Sequence, residues 1–235
     1  MNVSFRPQWL LALALPLALA LAACGDKEPE QRAAFSQFLQ TRIIDKPGVR
    51  VPQLTPEESK AFGDYTSHYA VITDFNGSMD ASIKPMKGLV EKGAVRSIND
   101  VIARRADIES AKTGLHDMGT ALKAEQAKAD AAHAALKQPD DLKPVYDKAY
   151  EKTVTLPATT FLGVLPNLEA TLDSSLKVAD YVSAHKDQIE VNGAIVRVAD
   201  PKVQAELNGL LGELNAQAKT VQEAQGRVQQ VLLGR

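Results

Sequence analysis

Apolar positions recur along most of this chain at three- and four-residue intervals, the spacing of one buried helix face. The first stripe is Ala34, Phe35, Phe38, Leu39 and Ile43, and Pro47-Gly48 stops it. Thr55-Pro56-Glu57-Glu58 then supplies a hydroxyl N-cap, a proline in the first turn and a glutamate to close a capping box. A helix is predicted from there to Asn76-Gly77, with Phe62, Tyr65, Tyr69 and Phe75 as core-facing aromatics. Ser97 and Asp100 form another start, after which Val101, Ile108, Leu115, Leu122, Ala129 and Leu136 fall seven residues apart, like a coiled-coil seam. The positions three residues later (Arg104, Ala111, Met118, Glu125, Ala132) are mixed, which favours a helix packed in a bundle over a two-stranded coil. Pro139 ends this element after about 40 residues, or about 60 Å.

The acids Asp140 and Asp141 are read as favouring the start of a short helix with Val145, Tyr146, Ala149 and Tyr150. Phe161, Leu165, Leu168, Leu172, Ala179 and Val182 make the next stripe, which Pro166 should kink. The period then changes. Ile189 to Val196 reads as a β-hairpin turning at Asn192-Gly193, and Asp200-Pro201 caps a last helix carrying Val203, Leu207, Leu210, Leu214, Val221, Ala224, Val228 and Val231. That helix is expected to run antiparallel to the long central one. The fold class is all-α: an elongated helical bundle with long coiled-coil-like helices and one small hairpin near residues 189–196. Residues 31–235 form one domain. A hairpin alone is marginal, so it must lean on the helices or on a partner, which makes Ile189, Val191, Asn192, Gly193 and Ile195 candidate interaction residues.

Residues 1–30 are patterned differently. Trp9 to Ala23 is an apolar run of fifteen residues, shorter than the roughly twenty that cross a hydrocarbon core. Arg6 precedes it, and Leu21-Ala22-Ala23 closes it just before Cys24, the single cysteine. This is the layout of a cleaved leader, residues 1–23, cut between Ala23 and Cys24. Cys24 would then carry a diacylglycerol thioether and an N-acyl chain such as palmitate, with residues 24–30 as lipidated N-terminus and tether. Three acyl chains make such attachment effectively permanent.

Composition narrows the field further. Losing Arg6 with the leader leaves 26 Lys and Arg against 29 Asp and Glu, a balance unlike that of a nucleic-acid binder. With its one cysteine lipidated, the chain forms no internal disulfide and depends on a packed core. One local excess stands out: Lys84, Lys87, Lys92, Arg96, Arg104 and Arg105 outnumber Glu91 and Asp100. These bases do not share a helical face, so a solvated elbow is favoured over a lipid-headgroup contact.

The chemistry-bearing motifs fail one by one. His68, His116, His133 and His185 lie in no zinc-ligand spacing. There is no nucleophile elbow, dinucleotide turn or phosphate loop. Asp74 to Asp80 resembles a calcium loop, but its glycine is misplaced and Pro85 stands where the closing glutamate belongs, so a helix end and turn is the reading. His133 sits beside the heptad seam as a partly exposed structural histidine. The expectation is no enzyme, no metal and no cofactor.

Cys24, Asp26-Lys27-Glu28, Gln31-Arg32, Phe35 and Phe38-Leu39-Gln40, together with Asp130-Ala131-Ala132-His133 and Leu136 to Tyr146, resemble the YiaF-like family of bacterial lipoproteins of unknown function. The resemblance implies an envelope address and, for Cys24, lipidation; it implies no catalytic residue. The expected protein is a lipid-anchored envelope module facing the periplasm that docks another envelope protein. The alternative is a carrier enclosing an apolar ligand in a gap left by Gly114, Gly119, Ala121 and Ala129. Asp26 stands one place later than an inner-membrane retention signal, so the outer membrane is favoured. Oligomeric state stays open.

Overall fold

The computed structural model describes residues 27–91, 98–192 and 195–234, with side chains left out of description from 85 to 91. Residues 1–26, which include Ala23 and Cys24 of the expected cleavage site, and Ser97 and Gly193 therefore lie outside the described residues. Helix α1 (Glu28–Phe38) continues without a break into a π-helical turn, Leu39–Ile44. Next come α2 (Pro56–Phe62), α3 (Tyr65–Glu91), α4 (Ile98–Ala103), α5 (Arg105–Ala135), α6 (Lys143–Tyr150), a second π-helical turn (Glu151–Thr155) and α7 (Leu156–Ala184). Strands β1 (Ile189–Asn192) and β2 (Ile195–Val198) precede α8 (Pro201–Leu233). The fold is all-α with one antiparallel hairpin, as the stripes predict.

The caps explain several boundaries. Thr55 accepts from the Glu58 amide while Glu58 accepts from the Thr55 amide, the reciprocal box expected there. Asp200 Oδ1 accepts from the amides of Lys202 and Val203 and starts α8. Asp140 and Asp141 do not cap α6: its N-cap is Leu142, and Asp141 instead accepts from Arg32 at 3.1 Å. The expected helix from Thr55 to Gly77 is two helices, broken at Gly63, whose positive φ of 55° lets the backbone turn against the Gln31 side chain. Its second part runs straight through Asn76-Gly77, so the calcium-like stretch is helix interior, not an end. The long central element also breaks, at Arg104, leaving α5 at 31 residues, about 46 Å.

Packing follows the stripes. Val101, Ile108, Leu115, Leu122 and Ala129 are all buried. At the α1 end the core is aromatic: Phe35 stacks on Tyr65 (5.6 Å, 11°), and Phe38 meets Tyr69 edge-on (5.2 Å, 88°), with Phe62 and Tyr146 against them. Along the rod, α3 lies on α5, α5 on α7 and α7 on α8. The last helix thus packs antiparallel to α7, not to the central helix as its stripe suggested; Tyr181 Oη near its start donates to Glu206, while Thr160 and Val164 face Arg227 and Gln230 near its end. At the far end of α8, the Val49 amide donates to the Leu232 carbonyl at 3.1 Å, where Gly48 and Gly234, both with positive φ, press backbone against backbone.

The two π-helical turns lie side by side. A π turn leaves carbonyls misaligned for the next amide, and here side chains from elsewhere collect them. Asn76 Nδ2 donates to the Thr153 carbonyl at 3.2 Å, and Lys152 Nζ to those of Ile44 at 2.9 Å and of Lys46.

Candidate functional site

The bundle has two distinct poles. At one, α1 begins beside the C-terminal end of α5 and the start of α6, tied by Arg32 to Glu28 and Asp141. At the other, the hairpin rests on the end of α7, the start of α8 and α4, where Asn99 Nδ2 donates to the Val191 carbonyl. The sequence pattern placed five candidate residues on the hairpin, and the register sorts them. Ile189 pairs with Val198 and Val191 with Val196, so these four share one face, which packs on Val178, Val182, Val203 and Leu207. Ile189 is 5% exposed and belongs to this core. Asn192 pairs with Ile195, so the connection is residues 193–194 and Asn192 ends β1 instead of leading the turn. Asn192 and Ile195 lie on the outer face with Glu190 and Arg197; Ile195 is 60% exposed.

Near the opposite pole the chain brings together groups that no local spacing revealed. His133 Nε2 lies 2.8 Å from Asp147 Oδ1, and Lys143 Nζ donates to the other oxygen at 2.8 Å. Burial alone would raise the Asp147 carboxyl; the bonds from Lys143 and His133 outweigh it and hold it below its usual value. The His133 ring lies 4.1 Å from that of Tyr150, whose hydroxyl donates to Asp130 at 2.7 Å. Burial first, then Asp130, pushes the Tyr150 hydroxyl upward, and burial with Glu28 pushes Tyr65 to about 12. Each acid and hydroxyl in this cluster is engaged within the protein. The arrangement locks α6 onto α5. The signal that could have found it is helical: Asp147 faces the same side as Lys143 and Tyr150 once α6 is placed.

His68 supplies a pH response. Its ring is partly buried edge-on to Tyr65, near Tyr146, and accepts from Gln138 Nε2 at 3.2 Å through Nδ1. Burial lowers its pKa below 6.5, against an opposing pull from Asp64. Between pH 6.5 and the lower folded value the unfolded chain therefore binds a proton that the folded chain refuses. Stability from this group is full above pH 6.5 and is lost as pH falls through that window. The urea midpoint should decline on acidification from pH 7 to 5, and His68→Gln should flatten the slope; an unchanged slope in that variant would place the response elsewhere.

The other candidates resolve simply. Gly119 is buried where a Cβ would meet Leu165 Cδ1 at 2.9 Å, and Ala129 is core, whereas Gly114 and Ala121 are exposed. These small residues serve helix approach or solvent, and no gap opens among them. In the basic segment, Arg105 pairs with Glu109 at 3.1 Å and with Asp180, and Arg104 with Asp107 at 3.5 Å. Lys84 is exposed, and the side chains of Lys87, Lys92 and Arg96 lie outside the described residues. No group of three or more metal-ligating side chains forms among the described residues.

A family profile described as Protein of unknown function (DUF3053) matches residues 11–229. The chain belongs to this family. Uncharacterized protein YiaF of Escherichia coli (strain K12) is 32% identical over 222 residues, 92% of this chain and 93% of that protein. The protein of the same name from Shigella flexneri matches to the same extent. No solved structure matches the chain. The family match runs from within the N-terminal apolar run through Cys24 and the hairpin into the last turns of α8, so the resemblance carried by two short stretches extends over nearly the whole length.

Proposed function

We propose that this protein is a lipoprotein of the bacterial envelope, anchored through Cys24 and working as a non-enzymatic module that docks another envelope protein. The observation that carries this is Leu21-Ala22-Ala23-Cys24 closing a fifteen-residue apolar run, with Gly25, Asp26 and Lys27 alone between Cys24 and the start of α1. No helix among the described residues is long and apolar enough to cross a membrane. In this reading the lipid on Cys24 makes the attachment, and with Gly25 next to it and Asp26 one place too late for inner-membrane retention, it sits in the periplasmic leaflet of the outer membrane. The carrier alternative draws less support, because the small residues meant to line its cavity are packed or exposed.

The test is to label cells with an alkyne analogue of palmitate, crosslink, and purify the C-terminally tagged full chain and its Cys24→Ala form. The expected result is a labelled chain in the membrane fraction with one stoichiometric protein partner, both lost in the variant. Unlabelled chain in the soluble fraction removes the anchor. Stoichiometric lipid in the Cys24→Ala protein, with no protein partner, makes it a carrier.

A further inference from the structure

The hairpin has one edge partly tied to the helices and one edge open. Residues whose N–H and C=O point away from the partner strand alternate along each strand. The Ala199 amide donates to Gln188 O at 3.0 Å in the same register that pairs Glu190 with Arg197 and Asn192 with Ile195, so these are the bonded pairs. Ile189 and Val191 on β1, and Val196 and Val198 on β2, therefore aim their backbone groups outward. On β1 two of the four are used: the Ile189 amide donates to the His185 carbonyl at 2.9 Å, and the Val191 carbonyl accepts from Asn99. On β2 the outward groups of Val196 and Val198 have no partner among the described residues. Beyond β1 and β2, the cluster beneath them continues onto Leu210, Leu211 and Leu214 of α8, which are only partly buried.

We infer that β2 is a docking edge that takes an extended segment of a different protein as a third strand, with an acidic residue of that segment opposite Arg197. Charge decides against a second copy of this chain as the occupant. The antiparallel register that uses all four groups on both copies pairs Val196 with Val198 and sets Arg197 directly against Arg197 of the second copy. Like charges directly opposite are destabilising. Arg197 is largely exposed and its own cross-strand contact, Glu190, is long at 3.7 Å, so an acid on an added strand can take the guanidinium. Main-chain bonds hold such a segment and alternate side chains select it. The place of the edge also fits: α5 separates the two poles by about 46 Å, so a chain held at Cys24 presents β2 away from its own membrane surface. This identification of surface and partner rests on the tethered-module reading, which its failure would leave standing.

Val196→Pro is the selective variant. It deletes the outward donor while Val196 sits opposite Val191 in a non-bonded pair, so the hairpin ladder loses nothing. The experiment places the photo-crosslinker p-benzoylphenylalanine at Ile195 in the full chain in cells, maps the crosslinked segment, and titrates a synthetic peptide of that segment into the full chain in detergent. The expected result is a crosslink to an acid-bearing segment of one protein, reduced at least tenfold by Val196→Pro and about as much by Arg197→Glu. The peptide should slow amide exchange at Val196 and Val198 at least fivefold. A crosslink to lipid or to a second copy overturns the inference, and so does no crosslink, insensitivity to Val196→Pro, or unchanged exchange at both amides. A stoichiometric partner lost with Cys24→Ala but crosslinked at another surface would keep the module reading and reject this edge.

Discussion

Phe35→Ala is expected to lower the stability of the bundle by about 3–5 kcal/mol, the range for emptying a fully buried aromatic site. Phe35 is completely buried and touches four aromatic rings contributed by α2, α3 and α6: Phe62, Tyr65, Tyr69 and Tyr146. Those neighbours are rings fixed on separate helices, two of them held by hydroxyl bonds to the Pro52 and His68 carbonyls. The cavity cannot collapse without breaking such bonds, which puts the cost at the upper end. A protein of this size has about 5–15 kcal/mol in total, so the loss is a large share of it. Thermal and urea unfolding measure it, with Ile195→Ala as the comparison; a change within about 0.5 kcal/mol is expected at that exposed site. A Phe35→Ala loss no larger than that would mean the aromatic end is not a packed core.

Gly48→Ala is expected to cost about 1–3 kcal/mol from the left-handed backbone alone, and its local effect should be larger. An added Cβ at Gly48 would run into the carbonyl of Leu232 and its neighbour, all main chain, so nothing can rotate aside. The end of α8 must then leave the Pro47–Gly48 turn. Amide exchange should rise in the final turns of α8 and at Val49, while the middle of α5 keeps its protection. Gly77→Ala is the contrasting substitution. It lies inside α3 at a negative φ with open space around it, so removing backbone freedom there should stabilise by about 0.5–1 kcal/mol. Equal effects at the two glycines would show that the contact of Gly48 with Leu232 is not maintained in solution.

Much of this architecture was legible because it is local. The heptad from Val101 to Ala129, the Thr55 box, the Asp200 cap and the period change at Ile189 each encode their structure within a few residues. What the sequence hid depends on distant partners. The break at Gly63 occurs where Gln31 comes in from α1, and α8 chose α7 because two stripes of similar spacing cannot tell which neighbour they will meet. Asp141 left its expected capping role for Arg32, 109 positions away. The pairing of His133 with Asp147 spans a proline turn, so neither residue carries a local sign of it. On the hairpin, alternation placed the residues on the right strands, but only the register shows that Ile189 and Val191 face inward.

The π turn at Glu151–Thr155 joins α6 and α7 into one unbroken rod from Lys143 to Ala184. A π turn holds one residue more than the α-helical turn it replaces, and one residue is about 100° of rotation. The turn therefore acts as a phase shifter between two segments whose buried faces are different: Tyr146, Ala149 and Tyr150 face α1 and α5 above it, and Val164, Leu165 and Val178 face α5 and α8 below. Chain length is itself information here. Removing a single residue from this stretch would let an ordinary helix form and would turn the whole of α7 about its axis, hairpin included, without altering one hydrophobic side chain.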